Sequence, residues 1–108
     1  MLEPAATVVL VTAPSQEVAE QITTAIVAER LAACGTIVPG VTSIYRWQDA
    51  IQRDAEVLIV FKTIRSSVHR LAARVQELHP YELPEVIALP VMAGSMEYLT
   101  WVAENATG

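Results

Sequence analysis

Several residue types are scarce in this chain of 108 residues, and each scarcity excludes a class of protein. A single cysteine, Cys34, excludes an internal disulfide framework. Seven scattered basic residues stand against twelve acidic ones, and the net charge of −5 argues against nucleic-acid binding, which depends on Lys and Arg neutralising phosphates. The longest apolar runs are only strand-sized, so no segment is expected to span a membrane. We therefore expect neither nucleic acid nor a membrane as a partner.

Linkers are missing as well. No Gly/Ser-rich or charged run divides the chain, so residues 1–108 are expected to form a single domain. The N-terminus, Met1-Leu2-Glu3-Pro4, lacks the basic region of a signal peptide. Together with the lone cysteine, this favours a reducing, cytoplasmic location. Hydrophobic residues make up 53% of the chain, slightly above average usage, and part of that surplus is expected in a subunit interface.

What the chain does contain is an alternation of strand and helix patterns. β-branched and apolar runs predict strands, and apolar residues at helical spacing predict helices. The predicted strands lie near residues 7–12, 36–48, 56–63 and 86–92, and the predicted helices run from the Ser15 cap to about Ala33, from the Ser66 cap to Pro80, and from Gly94 onward. The order β-α-β-β-α-β-α is typical of an α+β, ferredoxin-like (split β-α-β) sandwich with a further C-terminal helix.

Such a sheet carries two helices on one face, and its other face is left bare. One short last helix cannot cover that face. The second strand, about twelve residues long, would reach roughly 40 Å, so the long hairpin is expected to extend beyond the domain. The overhanging part carries Ile44, Tyr45 and Trp47, and the tip is expected around Trp47-Gln48-Asp49-Ala50-Ile51 with the polar Gln52-Arg53-Asp54. Exposed apolar strands of this kind predict a tight homo-oligomer.

The segment His79-Pro80-Tyr81-Glu82-Leu83-Pro84-Glu85 combines an imidazole, a phenol and two carboxylates between prolines. His79, Glu82 and Glu85 could offer one nitrogen and two oxygens to a divalent metal ion, which makes them the candidate metal ligands. A structural alternative stays open. Pro80 stops the preceding helix, and His79 at the C-terminus of that helix can cap its carbonyls. The Tyr81 ring is expected to be buried with its hydroxyl at the rim.

Other candidate residues favour structural roles, and none indicates catalysis. Cys34 is expected to pack as a small hydrophobe, since no basic neighbour would activate its thiol. Lys62 and Arg30 could hold an anionic metabolite, or Lys62 could pair with an acid. The loop after the first strand offers neither the Arg nor the Gly-rich nest of an acylphosphatase-like hydrolase, and no nucleophile–base arrangement or nucleotide-binding loop is present. We therefore predict a protein that is not an enzyme.

Several motifs, in order along nearly the whole chain, resemble the CutA divalent-cation tolerance family. They are Thr12-Ala13-Pro14, Glu29-Arg30-Leu31-Ala32-Ala33-Cys34, Pro39-Gly40-Val41-Thr42-Ser43-Ile44-Tyr45, Glu56-Val57, Lys62-Thr63, His79-Pro80-Tyr81-Glu82-Leu83-Pro84-Glu85 and Tyr98-Leu99-Thr100-Trp101. The resemblance implies a ferredoxin-like homotrimer built by long hairpins that pair across subunits, similar in architecture to PII-type signalling proteins. It also implies a link to copper and other divalent-metal tolerance, and no established enzyme activity.

One departure from the family pattern bears on the metal. In some members of the family that this chain resembles, copper binding is assigned to a cysteine just before Thr-Ala-Pro in the first strand, a histidine just before His-Pro-Tyr and a nearby glutamate. The chain has Val11 and Leu78 at the first two positions, and only Glu85 matches. Without the thiolate and imidazole that Cu(II) or Zn(II) prefers, that particular site is not expected. No cofactor is certain, and Cu(II) or another divalent metal is the candidate.

Two functions therefore stay open. The first is a non-catalytic homotrimer of metal tolerance or signalling, whose clefts between subunits bind a divalent ion or a small ligand. The second is a structural or adaptor trimer without a metal site, whose rim docks a protein partner.

Overall fold

Strands and helices follow one another in the predicted order in the computed structural model, which describes residues 6–108. The expectation about Met1-Leu2-Glu3-Pro4 lies outside the described residues. The strands are β1 (Ala6–Ala13), β2 (Cys34–Trp47), β3 (Ala50–Ile64) and β4 (Val86–Pro90), and the helices are α1 (Gln16–Ala28), α2 (Val68–Leu78) and α3 (Met96–Asn105). Within residues 6–108, no helix has the length and apolarity needed to cross a bilayer.

The four strands form one antiparallel sheet in the order β2-β3-β1-β4. Strand β1 lies inside the sheet, where Val9 faces Phe61 of β3 and Ala88 of β4. Side chains alternate between the two faces of a strand, so Val9, Val11 and Phe61 all point to one face. Helices α1 and α2 pack on that face, which we call the covered face. It holds the main core, whose fully buried side chains include Val9, Val11, Ile22, Ile26, Ile59, Phe61, Leu71 and Val75.

The opposite face of the sheet, which we call the open face, is apolar and only partly covered. The strand register aligns Val60, Leu10 and Ile87 in one row across β3, β1 and β4. Ile87 keeps 50% and Leu89 46% of its surface exposed. The predicted last strand is therefore present but largely exposed, because β4 lies at a sheet edge and α3 does not cover it. The buried contacts of α3 are made by Val102 and Ala106, at the end of the sheet.

Helix boundaries follow local chemistry in some places and tertiary contacts in others. The Ser15 hydroxyl accepts a hydrogen bond from the Val18 amide at 3.2 Å, which confirms the predicted cap of α1. Pro80 ends α2 as predicted, since the helix stops at Leu78. The Ser66 cap is wrong, because a 3₁₀ turn spans Arg65–Ser67 and α2 begins at Val68.

Helix α1 is shorter than the expectation of an end near Ala33. It stops at Ala28, and Arg30 takes a left-handed conformation with φ of 61°. This turn redirects the chain while the Leu31 amide still donates to the Ile26 carbonyl, and Leu31 stays buried. The apolar spacing that predicted a longer helix is therefore satisfied by a buried loop.

The β2–β3 hairpin extends beyond the rest of the molecule. With the hairpin included, the molecule measures 49 Å along its longest axis and 25 and 22 Å along the other two. The hairpin turn is tighter than expected. Only Gln48 and Asp49 leave the ladder, both with positive φ, and residues 52–54 belong to β3. Positive φ at both central residues is the geometry of a type I′ turn. A bulge at residues 39–40, where Gly40 has φ of 78°, interrupts the pairing at the base of the hairpin.

Candidate functional site

A cleft opens where the hairpin, the end of β1 and the loop after α2 meet. We call it the hairpin cleft, and its volume is about 620 Å³. Most ligand sites in proteins are clefts of about 300–1,000 Å³ with apolar walls and a few polar groups. Its lining consists of Thr12 from β1, Ser43, Ile44, Tyr45, Arg46 and Trp47 from β2, Asp54 and Glu56 from β3, and Tyr81, Glu82, Leu83 and Glu85 from the loop.

His79 holds the loop against β1. Its Nε2 lies 2.7 Å from the Thr12 carbonyl oxygen, and the Tyr81 amide donates to its Nδ1 at 3.0 Å. A carbonyl can only accept and an amide can only donate, so the ring carries its proton on Nε2. The side chain is buried, and its ring packs against that of Tyr81 with centroids 4.6 Å apart. His79 is thus a structural bridge between β1 and the loop, and it bonds a strand carbonyl rather than the helix carbonyls.

Tyr81 connects the loop to a carboxylate in the hairpin cleft. Its hydroxyl donates to Oε2 of Glu56 at 2.8 Å. Glu56 is only 7% exposed. Charged residues are rarely buried to this extent unless they have a partner, and here the Tyr81 hydroxyl is that partner. Burial, reinforced by the hydrogen bond to Glu56, raises the pKa of Tyr81 well above its usual value. The phenol therefore remains a proton donor to the carboxylate across the physiological pH range.

A second phenol–carboxylate pair lies along the hairpin. The register places Ser43 opposite Asp54 and Tyr45 opposite Gln52, so Tyr45 and Asp54 are diagonal neighbours on one face. The Tyr45 hydroxyl donates to Oδ2 of Asp54. That hydrogen bond raises the pKa of Tyr45. Both phenols in the cleft are thus directed at carboxylates.

The three candidate metal ligands do not share one environment. Glu82 and Glu85 are exposed and line the hairpin cleft, whereas His79 is buried beneath the loop with both ring nitrogens hydrogen-bonded. Within residues 6–108, no group of three or more His, Cys, Asp or Glu side chains is arranged to hold a metal ion. His79 would have to give up at least one of its two hydrogen bonds to bind a metal. The metal site at His79, Glu82 and Glu85 stays a prediction.

The positions of Val11 and Leu78 agree with their apolar chemistry. Val11 is fully buried in the main core, and Leu78 packs against that core. Neither offers a polar atom to a ligand.

Cys34 and Lys62 are placed away from the hairpin cleft. The Cys34 Sγ lies 3.4 Å from the hydroxyl of Tyr98, and this contact is the main cause that raises the pKa of Tyr98 to about 12. The thiol is half-buried rather than packed as a purely apolar group. The Lys62 ammonium donates to the Thr36 hydroxyl at 2.6 Å and to the Val60 carbonyl at 3.1 Å, so it bonds neutral oxygens rather than an acid.

Sequence reasoning missed Asp54 and Glu56 as cleft residues. The sequence pattern places Asp54 at a polar hairpin tip and shows Glu56 only as part of the motif Glu56-Val57. One signal was available, because Glu56 is a single carboxylate at the start of the apolar run Val57-Leu58-Ile59-Val60-Phe61. A charge at the edge of a buried strand commonly indicates a specific partner.

The fold and the cleft define a small α+β protein whose antiparallel sheet carries helices on one face and a projecting hairpin at one side. The family model of the CutA1 divalent ion tolerance proteins matches residues 7–105. The chain therefore belongs to the CutA divalent-cation tolerance family.

Named relatives agree with this assignment. The chain is 54% identical over 98 residues to the divalent-cation tolerance protein CutA of Thermus thermophilus, a match that covers 91% of this chain and 95% of the relative. It is 49% identical over 94 residues to human protein CutA, covering 87% of this chain. The chain spans about half the length of the human and rice relatives that it matches.

Solved structures extend the similarity to the fold. The divalent cation tolerance protein of Thermus thermophilus superposes with a TM-score of 0.91 at 53% identity, over 93% of this chain and 97% of that one. CutA1 from Oryza sativa superposes with a TM-score of 0.92 at 42% identity, over 97% and 95% of the two chains. The mixed α+β architecture is thus that of the CutA1 structures.

Proposed function

We propose that this protein is a non-catalytic homotrimer of divalent-cation tolerance, PII-like in architecture, whose subunit clefts bind a divalent cation or a small ligand. The single observation that carries the proposal is the apolar open face of the sheet. Ile87 and Leu89 are about half exposed there, beside Leu10 and Val60, which are only partly buried. Monomeric proteins rarely leave large contiguous apolar patches in water, so this face is suited to contact with another chain.

The hairpin supports the same conclusion. Ile44 and Ile51 are 62% and 63% exposed, and Trp47 keeps 43% of its surface exposed. These residues lie on β2 and β3. Strand β2 is an edge strand of the sheet, and within the described residues no other strand pairs with its outer side. An exposed edge of this length invites pairing with another chain. Other copies of this chain are the partner proposed here.

The finer description of the fold belongs to the same proposal. We assign residues 1–108 to a single ferredoxin-like domain, supported by the strand order β2-β3-β1-β4 and by the two helices on one face. A cytoplasmic location is proposed on the lone cysteine, because oxidising compartments favour disulfide-bonded proteins. The absence of enzymatic activity is supported by the name of the family, which describes tolerance and no reaction.

Light scattering tests the trimer. The wild-type protein at micromolar concentration should have three times the 11.7 kDa mass of one chain. Leu89→Glu would bury a charge in the open face, so it should shift the mass towards the monomer. Ala73→Glu, on the exposed side of α2, is the matched control and should leave the trimer intact. A monomer mass for the wild type would contradict the proposal.

Calorimetry with Cu(II) and Zn(II) on the tag-free protein tests the metal. Saturable binding at micromolar concentration, lost in both His79→Ala and Glu85→Ala, would support the site predicted at His79, Glu82 and Glu85. Binding lost only in Glu85→Ala would restrict the site to the exposed carboxylates. No binding in a protein that is still trimeric would favour the adaptor alternative, in which the rim docks a protein.

A further inference from the structure

The hairpin cleft contains a largely buried carboxylate, and the protein pairs only one of its two oxygens. Glu56 is more than nine-tenths buried and lines the cleft. Its Oε2 accepts the Tyr81 hydroxyl at 2.8 Å. Oε1 accepts no hydrogen bond from the described residues, and it is not one of their fully buried unpaired atoms, so it keeps contact with the solvent of the cleft. A carboxylate in such a largely buried position is stabilised by a cationic partner. Oε1 of Glu56 is therefore an open acceptor at the wall of the cleft.

The charge around this acceptor is strongly one-sided. Asp54, Glu82 and Glu85 line the same cleft as Glu56, and Arg46 is the single basic residue among the described residues of the lining. Walls of low polarity focus the potential of such charges into a cleft and concentrate ions of opposite sign there. The charge of the lining therefore favours a cationic ligand over an anionic one.

The remaining walls are aromatic rather than oxygen-rich. Tyr45, Trp47 and Tyr81 line the cleft, and the two phenols direct their hydroxyl protons at carboxylates. Aromatic faces attract ammonium and guanidinium groups, and alkyl chains pack well against them. A bare Mg²⁺ or Ca²⁺ ion instead needs about six or more converging oxygens. No metal-binding group of three acidic, His or Cys side chains occurs in residues 6–108.

These observations together identify a class of ligand. The geometry points to an organic cation, a compound with an ammonium group on an aliphatic body, bound in the hairpin cleft with its nitrogen at Oε1 of Glu56. The aliphatic body lies along Trp47 and Tyr45. This inference rests on the proposed role of the cleft as a ligand site. It assigns an organic cation to the cleft in place of a bare metal ion.

Cadaverine is a suitable probe, with 1,5-pentanediol as the neutral compound of the same length and glutarate as the anionic one. Calorimetry on the wild-type protein should give saturable binding of cadaverine and none of the other two. Trp47 lies in the cleft, so its fluorescence should change on binding, and Trp47→Phe should remove that signal. Equal binding of pentanediol would overturn the inference, because it would show that charge plays no part.

Two variants locate the site. Glu56→Gln keeps the shape and the acceptor for Tyr81 but removes the charge, so cadaverine should bind at least about tenfold more weakly. Glu85→Gln, at the exposed rim, should weaken binding by only about two- to threefold. Glu104→Gln on α3 is the matched control and should bind as the wild type does. An equal loss in all three variants would contradict the assignment to the cleft.

The same experiments separate this inference from the proposed function. A trimeric protein that binds Zn(II) through Glu56 and ignores cadaverine would overturn the inference and leave the proposed function intact. A monomeric protein that binds cadaverine through Glu56 would overturn the proposed homotrimer and leave the inference about the organic cation intact.

Discussion

The covered and open faces of the sheet are built from the same strands, yet their surroundings differ. On the covered face Val9, Ile59 and Phe61 are fully buried under α1 and α2, whereas Ile87 and Leu89 on the open face remain about half exposed. Apolar side chains on both faces of β1 and β3 produce a continuous apolar run along each strand, as in sheets that are covered on both sides. The difference shows that the helices of one chain bury one face of the sheet and leave much of the other face exposed.

The hairpin cleft lies at the end of the open face. By alternation along β3, Glu56 points to the same side as Leu58 and Val60. A polar site thus adjoins an apolar surface that we assign to the trimer interface. Subunit association would then be expected to affect the cleft more than the core, because only the cleft shares a face with that interface.

The largest expected effect contrasts the two faces directly. Phe61→Ala should lower the free energy of unfolding by about 3–5 kcal/mol at any protein concentration, because it leaves a cavity in the core of the subunit. Leu89→Ala should cost about 1–2 kcal/mol, and its cost should depend on concentration, because the lost contacts lie between subunits. Urea unfolding at two protein concentrations measures both. A concentration-independent effect of Leu89→Ala would break the contrast.

A smaller effect concerns the cleft. The pKa of Tyr81 is higher in the folded protein than the value of about 10 in an unfolded chain, because of burial and the hydrogen bond to Glu56. The unfolded chain therefore loses its proton first, and stability that is present below about pH 10 is lost as the pH rises above it. Tyr81→Phe should make the fall in stability between about pH 9 and 11, measured by urea unfolding, shallower.

Part of that fall should remain in Tyr81→Phe, since Tyr45 and Tyr98 also have raised pKa values. A profile with the same slope as the wild type would contradict the role assigned to the Tyr81–Glu56 pair.

The smallest expected effect concerns an unpaired hydroxyl on the covered face. The Thr23 hydroxyl is the one buried side-chain polar atom that lacks a hydrogen-bond partner among residues 6–108. Thr23→Val keeps the branched shape and removes this group, so it should stabilise the protein by up to about 1 kcal/mol. Thr24→Val, at the exposed neighbouring position, is the control and should change the unfolding midpoint little. A destabilised Thr23→Val variant would indicate that the hydroxyl has a partner in solution.

Much of the fold was predictable, because it depends on local patterns. The order of elements, the Ser15 cap and the stop at Pro80 follow from residue type and spacing. The end of α1 was not predictable, since the left-handed turn at Arg30 lets Leu31 be buried without a helix. The tight turn at Gln48-Asp49 was missed because neither residue is the glycine that usually indicates such a turn.

The candidate site was predictable only in part. The loop from His79 to Glu85 was recognised from its composition, and Glu82, Glu85 and Tyr81 do line the cleft. The partner of Tyr81, Glu56, was not recognised, because it lies 25 residues away and belongs to a strand. Spacing along the chain carries no information about contacts of this kind.

The sequence by itself determined the succession of strands and helices and the apolar character of both sheet faces, because period and residue type act locally. The tertiary structure decided which face the helices cover and what His79 does. The Nε2 of His79 lies 2.7 Å from the carbonyl of Thr12, 67 residues earlier in the chain, and this contact removes the imidazole from the cleft. Strand register and helix packing bring such distant atoms together, and neither can be derived from the spacing of residues within one segment.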